Sequence, residues 1–182
     1  AAAIDIAKLV FDHDTTVSTG IEDLPRVQVE RNNTANFYKV QGTGIFTQWI
    51  DNVNDPVITG DFGDFSNEKY SWFLFVASAA NVDLPTSPRV FPGVMLEGNG
   101  NRASFTEDVI INRHLNPRGN SIITLNTGAN GDITLKGDLW LGDWLDGKLE
   151  FGSTGTERTL TIEGDIDFTQ NVSVPTNYRE IL

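Results

Sequence analysis

The chain has 182 residues, with 25 Asp and Glu against 13 Lys and Arg, a net charge of −12, two His and no Cys. This charge argues against a general nucleic-acid binder, and the lack of Cys excludes disulfides, thiolate metal sites and a Cys nucleophile. A hydrophobic content of 39 % is enough for a packed core, and no stretch has the roughly 18 consecutive apolar residues that a membrane-spanning helix needs.

Residue usage predicts an all-β protein. The chain contains 17 Gly, 18 Thr and 16 Asn. Thr favours strands, whereas Asn and Gly favour the turns between them. The chain begins with Ala and shows no signal-peptide pattern, which we interpret as a processed or partial chain.

The first part of the chain, 1–112, is predicted to be a sandwich-like β-domain with an aromatic core. Apolar residues on both sides of Gly42-Thr43-Gly44 predict a hairpin. The run Trp72–Val76 predicts a strand buried on both faces at the centre of the sandwich. Pro and Gly are frequent in 81–101, which predicts a long surface loop with only short strand pieces.

The second part of the chain is predicted to be a repetitive β-fibre of short strands, intertwined or solenoid-like. It follows a predicted linker at 113–120, covers 121–175 and precedes a tail at 176–182. Apolar doublets recur there between Gly-Asp pairs, at Ile123/Leu125, Ile133/Leu135, Leu139/Leu141, Leu149/Phe151, Leu160/Ile162, Ile166/Phe168 and Val172/Val174. Strands this short need to stack on neighbouring units or on other chains to be stable.

The sequences NGDITLKGDLWL at 130–141 and LTIEGDIDF at 160–168 resemble the fibre segments of tailed-bacteriophage tail fibres, spikes and baseplate appendages. The resemblance covers 121–174. It implies a virion structural protein of the tail that works in assembly and host attachment as a homotrimer. It also implies contacts with other virion proteins and, as a further option, with a host-surface glycan. It supplies no active site and no cofactor, and a capsid decoration protein remains an alternative within the same class.

In such a trimer, the doublets would pack between chains. If Leu139 and Leu141 face inward, the two-residue period of a strand directs Trp140 outward, where we expect it to pack on a neighbouring chain. The predicted intersubunit residues are Ile133, Leu135, Leu139, Trp140, Leu141, Leu160, Ile162, Ile166 and Phe168.

A second hypothesis is a secreted or cell-surface carbohydrate-binding β-module without catalytic activity. Ten aromatic residues lie between positions 37 and 75. Most are expected in the core, because aromatic side chains dominate core burial. Trp49 and Tyr70 have polar neighbours in the sequence, so they are the candidate residues for stacking on a sugar.

Carboxylates and possible nucleophiles give no enzyme prediction. Asp165 and Asp167 are predicted on the solvent face of a strand, with a Ca²⁺ site or paired catalytic carboxylates as the alternatives. His13 and Asp14 could join Ser18 or Ser66 in a hydrolase triad, but the chain has no Gly-x-Ser-x-Gly motif. We therefore expect a protein without enzymatic activity, metal or cofactor.

Overall fold

The computed structural model describes residues 3–6, 8–11, 24–29, 34–50, 59–68, 70–78, 81–86, 88–98, 102–128, 131–141, 148–155 and 158–167. The structure is 59 % strand and 5 % helix, which confirms the all-β prediction. All the strand pairs within these residues are parallel.

The elements follow one another in a regular order. In chain order they are β1 (Ala3–Ile6), β2 (Leu9–Phe11), β3 (Arg26–Val29), β4 (Thr34–Phe37), β5 (Val40–Gly42), β6 (Ile45–Ile50), β7 (Thr59–Gly60), α1 (Gly63–Asn67), β8 (Trp72–Ala77), β9 (Asn81–Leu84), β10 (Val90–Phe91), β11 (Gly93–Glu97), β12 (Arg102–Phe105), β13 (Val109–Ile111), β14 (Leu115–Arg118), β15 (Ile122–Gly128), β16 (Ile133–Leu135), β17 (Leu139–Trp140), β18 (Lys148–Gly155), β19 (Leu160–Ile162) and β20 (Ile166–Asp167).

From β8 onward the chain visits three sheets in turn. The first is the seven-stranded sheet β20-β17-β14-β11-β8-β6-β3, and the other two are β18-β15-β12-β9 and β10-β13-β16-β19. We call one strand from each sheet, taken in sequence, a coil. The coils are β8–β10, β11–β13, β14–β16 and β17–β19, and β20 begins a fifth. Consecutive coils therefore stack as in a β-solenoid.

The coils keep one side-chain register although their lengths differ. Phe73, Val94, Leu115, Leu139 and Ile166 are aligned across the seven-stranded sheet. The steps between these partners are 21, 21, 24 and 27 residues. The β15–β18 pair is an exception to this alignment, because its register shifts by one residue between Leu125 and Thr127.

The interior of the stack holds the main hydrophobic core. Alternate residues of all three sheets point into it, because successive side chains of a strand face opposite sides. Phe rings form its centre: Phe73 contacts Phe46 at 5.4 Å and Phe91 at 5.1 Å between ring centroids. Phe62 and Phe65, around α1, pack against the same Phe73. This core explains why aromatic residues are dense before residue 106.

Asp side chains at the corners tie one coil to the next. The Oδ1 atom of Asp108 accepts the backbone N–H of Asp132 at 2.9 Å, and Asp132 Oδ1 accepts that of Thr159 at 2.9 Å. At a second corner, Asp138 Oδ1 accepts the N–H of Asp165 at 2.9 Å. Asp132 and Asp138, each the second residue of a Gly-Asp pair, therefore supply an acceptor to the following coil.

Gly precedes Asp132 and Asp138 because the coils approach very closely at these two corners. A Cβ on Gly137 would overlap the backbone of Arg113, and one on Gly131 would overlap that of Glu107. A Gly-Asp pair therefore meets two requirements of these corners. Gly leaves room for the neighbouring backbone, and Asp provides an acceptor for the next coil.

The predicted hairpin around Gly42-Thr43-Gly44 is wrong. β5 pairs with β2, whereas β6 pairs with β3 and β8, so the glycines lie at a corner between two sheets. The predicted loop at 81–101 contains three strands, β9, β10 and β11, and β11 is central and buried. Pro85, Pro88 and Pro92 lie between these strands, at corners, where no ladder N–H is needed.

The predicted division of the chain into 1–112, 113–120 and 121–175 crosses continuous sheets. The predicted linker 113–120 contains β14, which pairs with β11 on one side and β17 on the other. Sandwiches are built from antiparallel sheets, whereas the described strands before residue 113 pair in parallel, so the sandwich detail is not confirmed. The predicted tail, 176–182, lies outside the described residues.

Candidate functional site

The outer face of the seven-stranded sheet carries a second hydrophobic cluster. Ile45, Trp72, Leu74 and Met95 alternate with the residues of the interior core and therefore point outward. Ile45 and Met95 are fully buried, and Tyr70, Val76 and Trp140 pack partly against the cluster. The four outward side chains are all at most 6 % exposed, so the cluster is a second buried layer, and half-buried His114 and Trp140 at its edge are the candidate functional residues.

Three aromatic side chains form a row across this face. Trp140 stacks on His114 with a centroid distance of 4.0 Å and an interplanar angle of 18°. Trp72 contacts His114 at 6.0 Å and Trp140 at 5.7 Å. We call these three residues the outer aromatic row. Gly93 lies between their coils, and a Cβ there would be 2.7 Å from the Trp72 ring, so glycine gives that ring its space.

The surroundings of His114 favour its neutral form. Its Nδ1 accepts the backbone N–H of Asp138 at 3.2 Å, which requires a lone pair on Nδ1 and places the proton on Nε2. Burial lowers the pKa of His114 below its usual value of 6.5; the carboxylate of Asp138 opposes this shift, and Arg113 adds to it. Asp138 Oδ2 is 3.4 Å from Nδ1, but burial outweighs the attraction of this carboxylate for a proton.

Side-chain hydrogen bonds hold the corner next to His114 against α1. Arg113 donates from Nε to the carbonyl oxygen of Glu68 at 3.0 Å and from Nη2 to that of Asn67 at 3.1 Å. The neighbouring Asn112 donates to the carbonyl oxygen of Ser66 at 2.9 Å. These bonds join the corner at 112–114 to the C-terminal end of α1, which makes the base of the row rigid.

The carboxylates near the row are part of the coil corners. Asp138 is bonded through Oδ1 to the following coil, and Asp165, at the equivalent corner of that coil, is exposed. Asp167 is the register partner of Trp140 and is half-buried. Within the described ranges, no group of three or more His, Asp or Glu side chains is arranged to hold a metal ion.

The predicted sugar-stacking residues Trp49 and Tyr70 do not come together. Trp49 is aligned with Val76, whereas Tyr70 precedes Trp72 at the opposite end of β8. Six residues of extended chain between Tyr70 and Val76 separate them by roughly 20 Å. Both are half-buried, and Tyr70 packs against the outer hydrophobic cluster. They therefore do not form one binding platform.

Four of the nine predicted intersubunit residues lie inside their own chain. Ile133, Leu135, Leu139 and Leu141 are at most 1 % exposed, because the three sheets of one chain enclose them. Packing between chains is thus replaced by packing between coils for these four. The other predicted residues are nearer the surface or the end of the stack: Trp140, Leu160 and Ile162 are half-buried, Ile166 is 41 % exposed, and Phe168 lies outside the described residues.

The residues considered for a hydrolase triad do not support one. The Ser66 hydroxyl is buried and donates to the carbonyl oxygen of Val90 at 2.6 Å. His13, Asp14 and Ser18 lie outside the described residues.

Sequence reasoning missed His114 and Trp72 as neighbours of Trp140. They precede Trp140 by 26 and 68 positions in the chain. Only an alignment of whole coils could have placed these residues together. In such an alignment Leu115 and Leu139 are partners, so His114 and Asp138 occupy equivalent corners.

In the part of the chain that the structure describes, no helix has the length and apolar character needed to cross a membrane. Comparisons of the chain with protein-family models, with curated proteins and with solved structures found no match.

Proposed function

We propose that this chain is a structural protein of a tailed-bacteriophage virion, a tail fibre or baseplate appendage that serves assembly and host attachment. The observation that carries the proposal is the continuous stack of coils, with its Gly-Asp corners. Such a stack is a shaft, because each coil supports the next one and the length grows with the number of coils. The proposed place of the protein is the virion tail; free in solution, it would be extracellular.

The chemistry of the corners suits a shaft. Each coil is bonded to its neighbours by backbone ladders and, at the corners, by Asp side chains that accept N–H groups from the next coil. Each chain carries a net charge of −12, and this charge opposes association between shafts. No step in this role requires catalysis or a cofactor.

A homotrimer is part of the proposal, but its interface has to use outward-facing side chains. Ile133, Leu135, Leu139 and Leu141 are enclosed within one chain. Of the other predicted residues that the structure describes, Trp140, Leu160 and Ile162 are half-buried and Ile166 is exposed, so these remain for an interface. Sedimentation velocity at micromolar concentration tests this part: we expect a trimer, and a stable monomer would contradict it.

The virion role is tested on purified phage particles that encode the chain. Antibodies raised against the recombinant chain, coupled to gold, are expected to label the tail in electron micrographs. Mass spectrometry of washed particles is expected to find the chain in a fixed ratio to the other tail proteins. The proposal fails if the chain is absent from washed particles and accumulates free in the medium.

A carbohydrate-binding module, secreted or at a cell surface, is the second candidate function. Trp140 favours it, because this half-buried ring lies beside the corner carboxylates and an aromatic face next to polar groups can stack on a sugar. Fractionation separates the two candidates: a module of this kind is found free or on cells and not on virions.

A further inference from the structure

We propose that the contact between His114 and Asp138 is a pH-sensitive link between two successive coils. The link is closed while His114 is neutral, and it opens when the imidazole takes up a proton from the solvent. The proposal goes beyond the virion role and does not depend on it, so failure of either one leaves the other standing.

The link is a hydrogen bond whose acceptor is a side chain. His114 lies directly before β14, and Asp138 lies directly before β17, the neighbouring strand in the seven-stranded sheet. The backbone N–H of Asp138 donates to His114 Nδ1 at 3.2 Å. An imidazole nitrogen accepts a hydrogen bond through its lone pair, and a proton on Nδ1 occupies that lone pair. Protonation therefore turns the acceptor into a donor, and this bond is lost.

The two strands beside this bond are joined over a short length. β17 is aligned with β14 at a single residue pair, Leu115 with Leu139, whereas β11 is aligned with β14 at four pairs. The backbone N–H of Leu115 donates to the carbonyl oxygen of Asp138 at 3.0 Å, directly beside the bond to His114. Loss of the bond to His114 is therefore expected to weaken the β14–β17 pair more than it would weaken the longer β11–β14 pair.

The carboxylate of Asp138 opposes the opening but does not replace the lost bond. Its Oδ2 is 3.4 Å from His114 Nδ1 and could accept a hydrogen bond from the protonated ring. Its Oδ1 accepts the backbone N–H of Asp165 at 2.9 Å, which restricts rotation of the carboxylate. Such an ion pair would give the imidazolium a partner, yet it would leave the backbone N–H of Asp138 without an acceptor, which is unfavourable away from water.

The surroundings of His114 make the closed link bind a proton less readily than the open one. Within the described residues, the charged groups around it are Asp138, from the following coil, and Arg113, beside it in the chain. Arg113 in turn faces Glu68 and Tyr70 near the end of α1. Burial lowers the pKa of His114, Asp138 raises it, and Arg113 lowers it, with burial the largest effect. An open corner has a pKa near the usual 6.5, so opening is favoured as the pH falls below this value.

The opening is expected to be local. β18 and β19 follow β17 in the same coil, and they stay paired with β15 and β16 in the other two sheets. The backbone amides of residues 138–140 therefore report the opening. Those of β8, which lies between β6 and β11 in the seven-stranded sheet, are the internal reference.

Hydrogen exchange of the whole 182-residue chain at pH 7.5 and 5.5 measures the opening, with each rate divided by the intrinsic exchange rate at the same pH. Protection of amides 138–140 is expected to fall about three- to tenfold; the upper limit is roughly the ratio of charged to neutral imidazole one pH unit below a pKa of 6.5. Protection of the β8 amides is expected to stay nearly constant. Constant protection at 138–140, or an equal fall in β8, would contradict the proposal.

An NMR titration of the imidazole nitrogens tests the acceptor directly. We expect the proton of neutral His114 on Nε2 and a pKa below 6.5 in the folded chain. The stacked indole rings of Trp72 and Trp140 can favour a cation, and this titration measures the balance of all these effects. A proton on Nδ1 of the neutral ring, or a pKa of 6.5 or above, would overturn the proposal.

Variants assign the pH effect to the hydrogen bond. His114→Asn keeps an acceptor oxygen near the position of Nδ1 but cannot take up a proton, so equal protection of amides 138–140 is expected at both pH values. Asp138→Asn retains the backbone N–H and removes the carboxylate, so the fall in protection is expected to persist. His13→Asn removes the second of the two histidines of the chain and is the matched control, with the fall unchanged.

Three results with these variants would contradict the link. They are an undiminished fall in folded His114→Asn, loss of the fall in Asp138→Asn, which would assign it to the ion pair, and loss of the fall in His13→Asn. Circular dichroism verifies the fold of each variant. If His114→Asn does not fold, the position of the proton in the native chain and the result with Asp138→Asn decide the question.

Discussion

At the residue scale, a corner of the stack is defined by a Gly that has no room for a side chain and an Asp that bonds to the next coil. Gly137 faces the backbone of Arg113, and Asp138 provides both the N–H that His114 accepts and the carboxylate that Asp165 binds. Two neighbouring residues thus connect three successive coils. The Asp residues of these corners therefore bond neighbouring coils together and do not only carry charge at the surface.

Replacement of Gly137 tests the close approach at this corner. Gly137→Ala is expected to lower the free energy of unfolding by about 1–3 kcal/mol, because its Cβ would overlap backbone atoms that are bonded into the adjacent coil. Urea unfolding followed by circular dichroism measures the change. Gly63→Ala is the matched control: its Cβ meets only a side-chain oxygen, 3.3 Å away, at the start of α1. A helix position favours Ala over Gly by up to about 1 kcal/mol, so no loss is expected there. Equal losses in both variants would contradict this account.

His114 predicts a pH dependence of stability. Its pKa is lower in the folded chain than the usual 6.5. As pH falls through about 6.5, the unfolded chain binds a proton at His114 before the folded chain does, so stability decreases toward the folded-state pKa. His114→Gln removes this titration.

Urea unfolding at pH 7.5, 6.5 and 5.5 compares the two proteins. The native chain is expected to lose more stability over this range than the Gln variant does. Identical pH profiles would show that His114 is not held neutral by the fold. The range ends at pH 5.5, above the usual pKa values of Asp and Glu carboxyl groups.

At the scale of elements, β8 is buried on both faces for two different reasons. Phe73 and Phe75 point into the interior core, whereas Trp72 and Leu74 point into the outer hydrophobic cluster. The strand lies in the seven-stranded sheet between β6 and β11. The sequence run therefore predicted burial on both sides correctly, although the second side is an outer face rather than the far side of a sandwich.

Removal of one interior ring tests the aromatic core. Phe73→Ala is expected to cost about 3–5 kcal/mol, since the ring is 1 % exposed and contacts Phe46, Phe62, Phe65 and Phe91. Chemical denaturation gives the value. Tyr38→Ala, at an exposed position, is expected to change stability by less than about 0.5 kcal/mol. A small loss at Phe73 would mean that the core repacks around the missing ring.

The sequence predicts the strands better than it predicts their partners. Alternating apolar doublets identify strands at Ile133/Leu135 and Leu160/Ile162, and both are present. Direction and pairing were not predictable, because a parallel partner one coil away produces no local turn signal. A glycine-flanked corner such as 42–44 has the same composition as a hairpin turn. The prediction of a surface loop at 81–101 is wrong for a similar reason. Its Pro residues lie at corners between strands and not within the ladders.

The candidate site was predicted only in part. The two-residue period directs Trp140 outward, and the structure has it on the outer face. Its partners could not be identified, since His114 belongs to another coil, and unequal coils of 21, 24 and 27 residues hide the repeat. The space for Trp72 depends on Gly93, a residue whose role becomes visible only when neighbouring coils are superposed.

At the scale of the whole molecule, the coil is the unit of the fold. Partners in adjacent coils are aligned throughout the interior: Ile111 with Leu135, and Leu135 with Ile162. Because each coil contacts mainly its two neighbours, removal of one complete coil leaves the remaining interfaces similar.

Deletion of residues 114–137 tests this modularity. It removes β14, β15 and β16 and joins Arg113 to Asp138, so that β11 meets β17 in the same register. We expect a folded β-protein with a cooperative unfolding transition and a reduced unfolding midpoint. Deletion of 114–125, about half as long, is the control and is expected to prevent folding, because it leaves an incomplete coil. Circular dichroism and thermal unfolding distinguish them; two folded products, or two unfolded ones, would contradict the coil as the unit.

The course of one covalent chain through stacked coils also determines how the molecule responds to force. Tension applied to the two chain ends would act on one terminal coil at a time, because a coil is attached to the rest of the stack mainly through its single neighbour. Each release of 21–27 residues would lengthen the chain by roughly 7–10 nm, at about 3.3–3.6 Å per residue. A load applied across the side of the stack is instead shared among several coils. A stack of this construction is therefore expected to resist a load along its side better than a pull on its two ends.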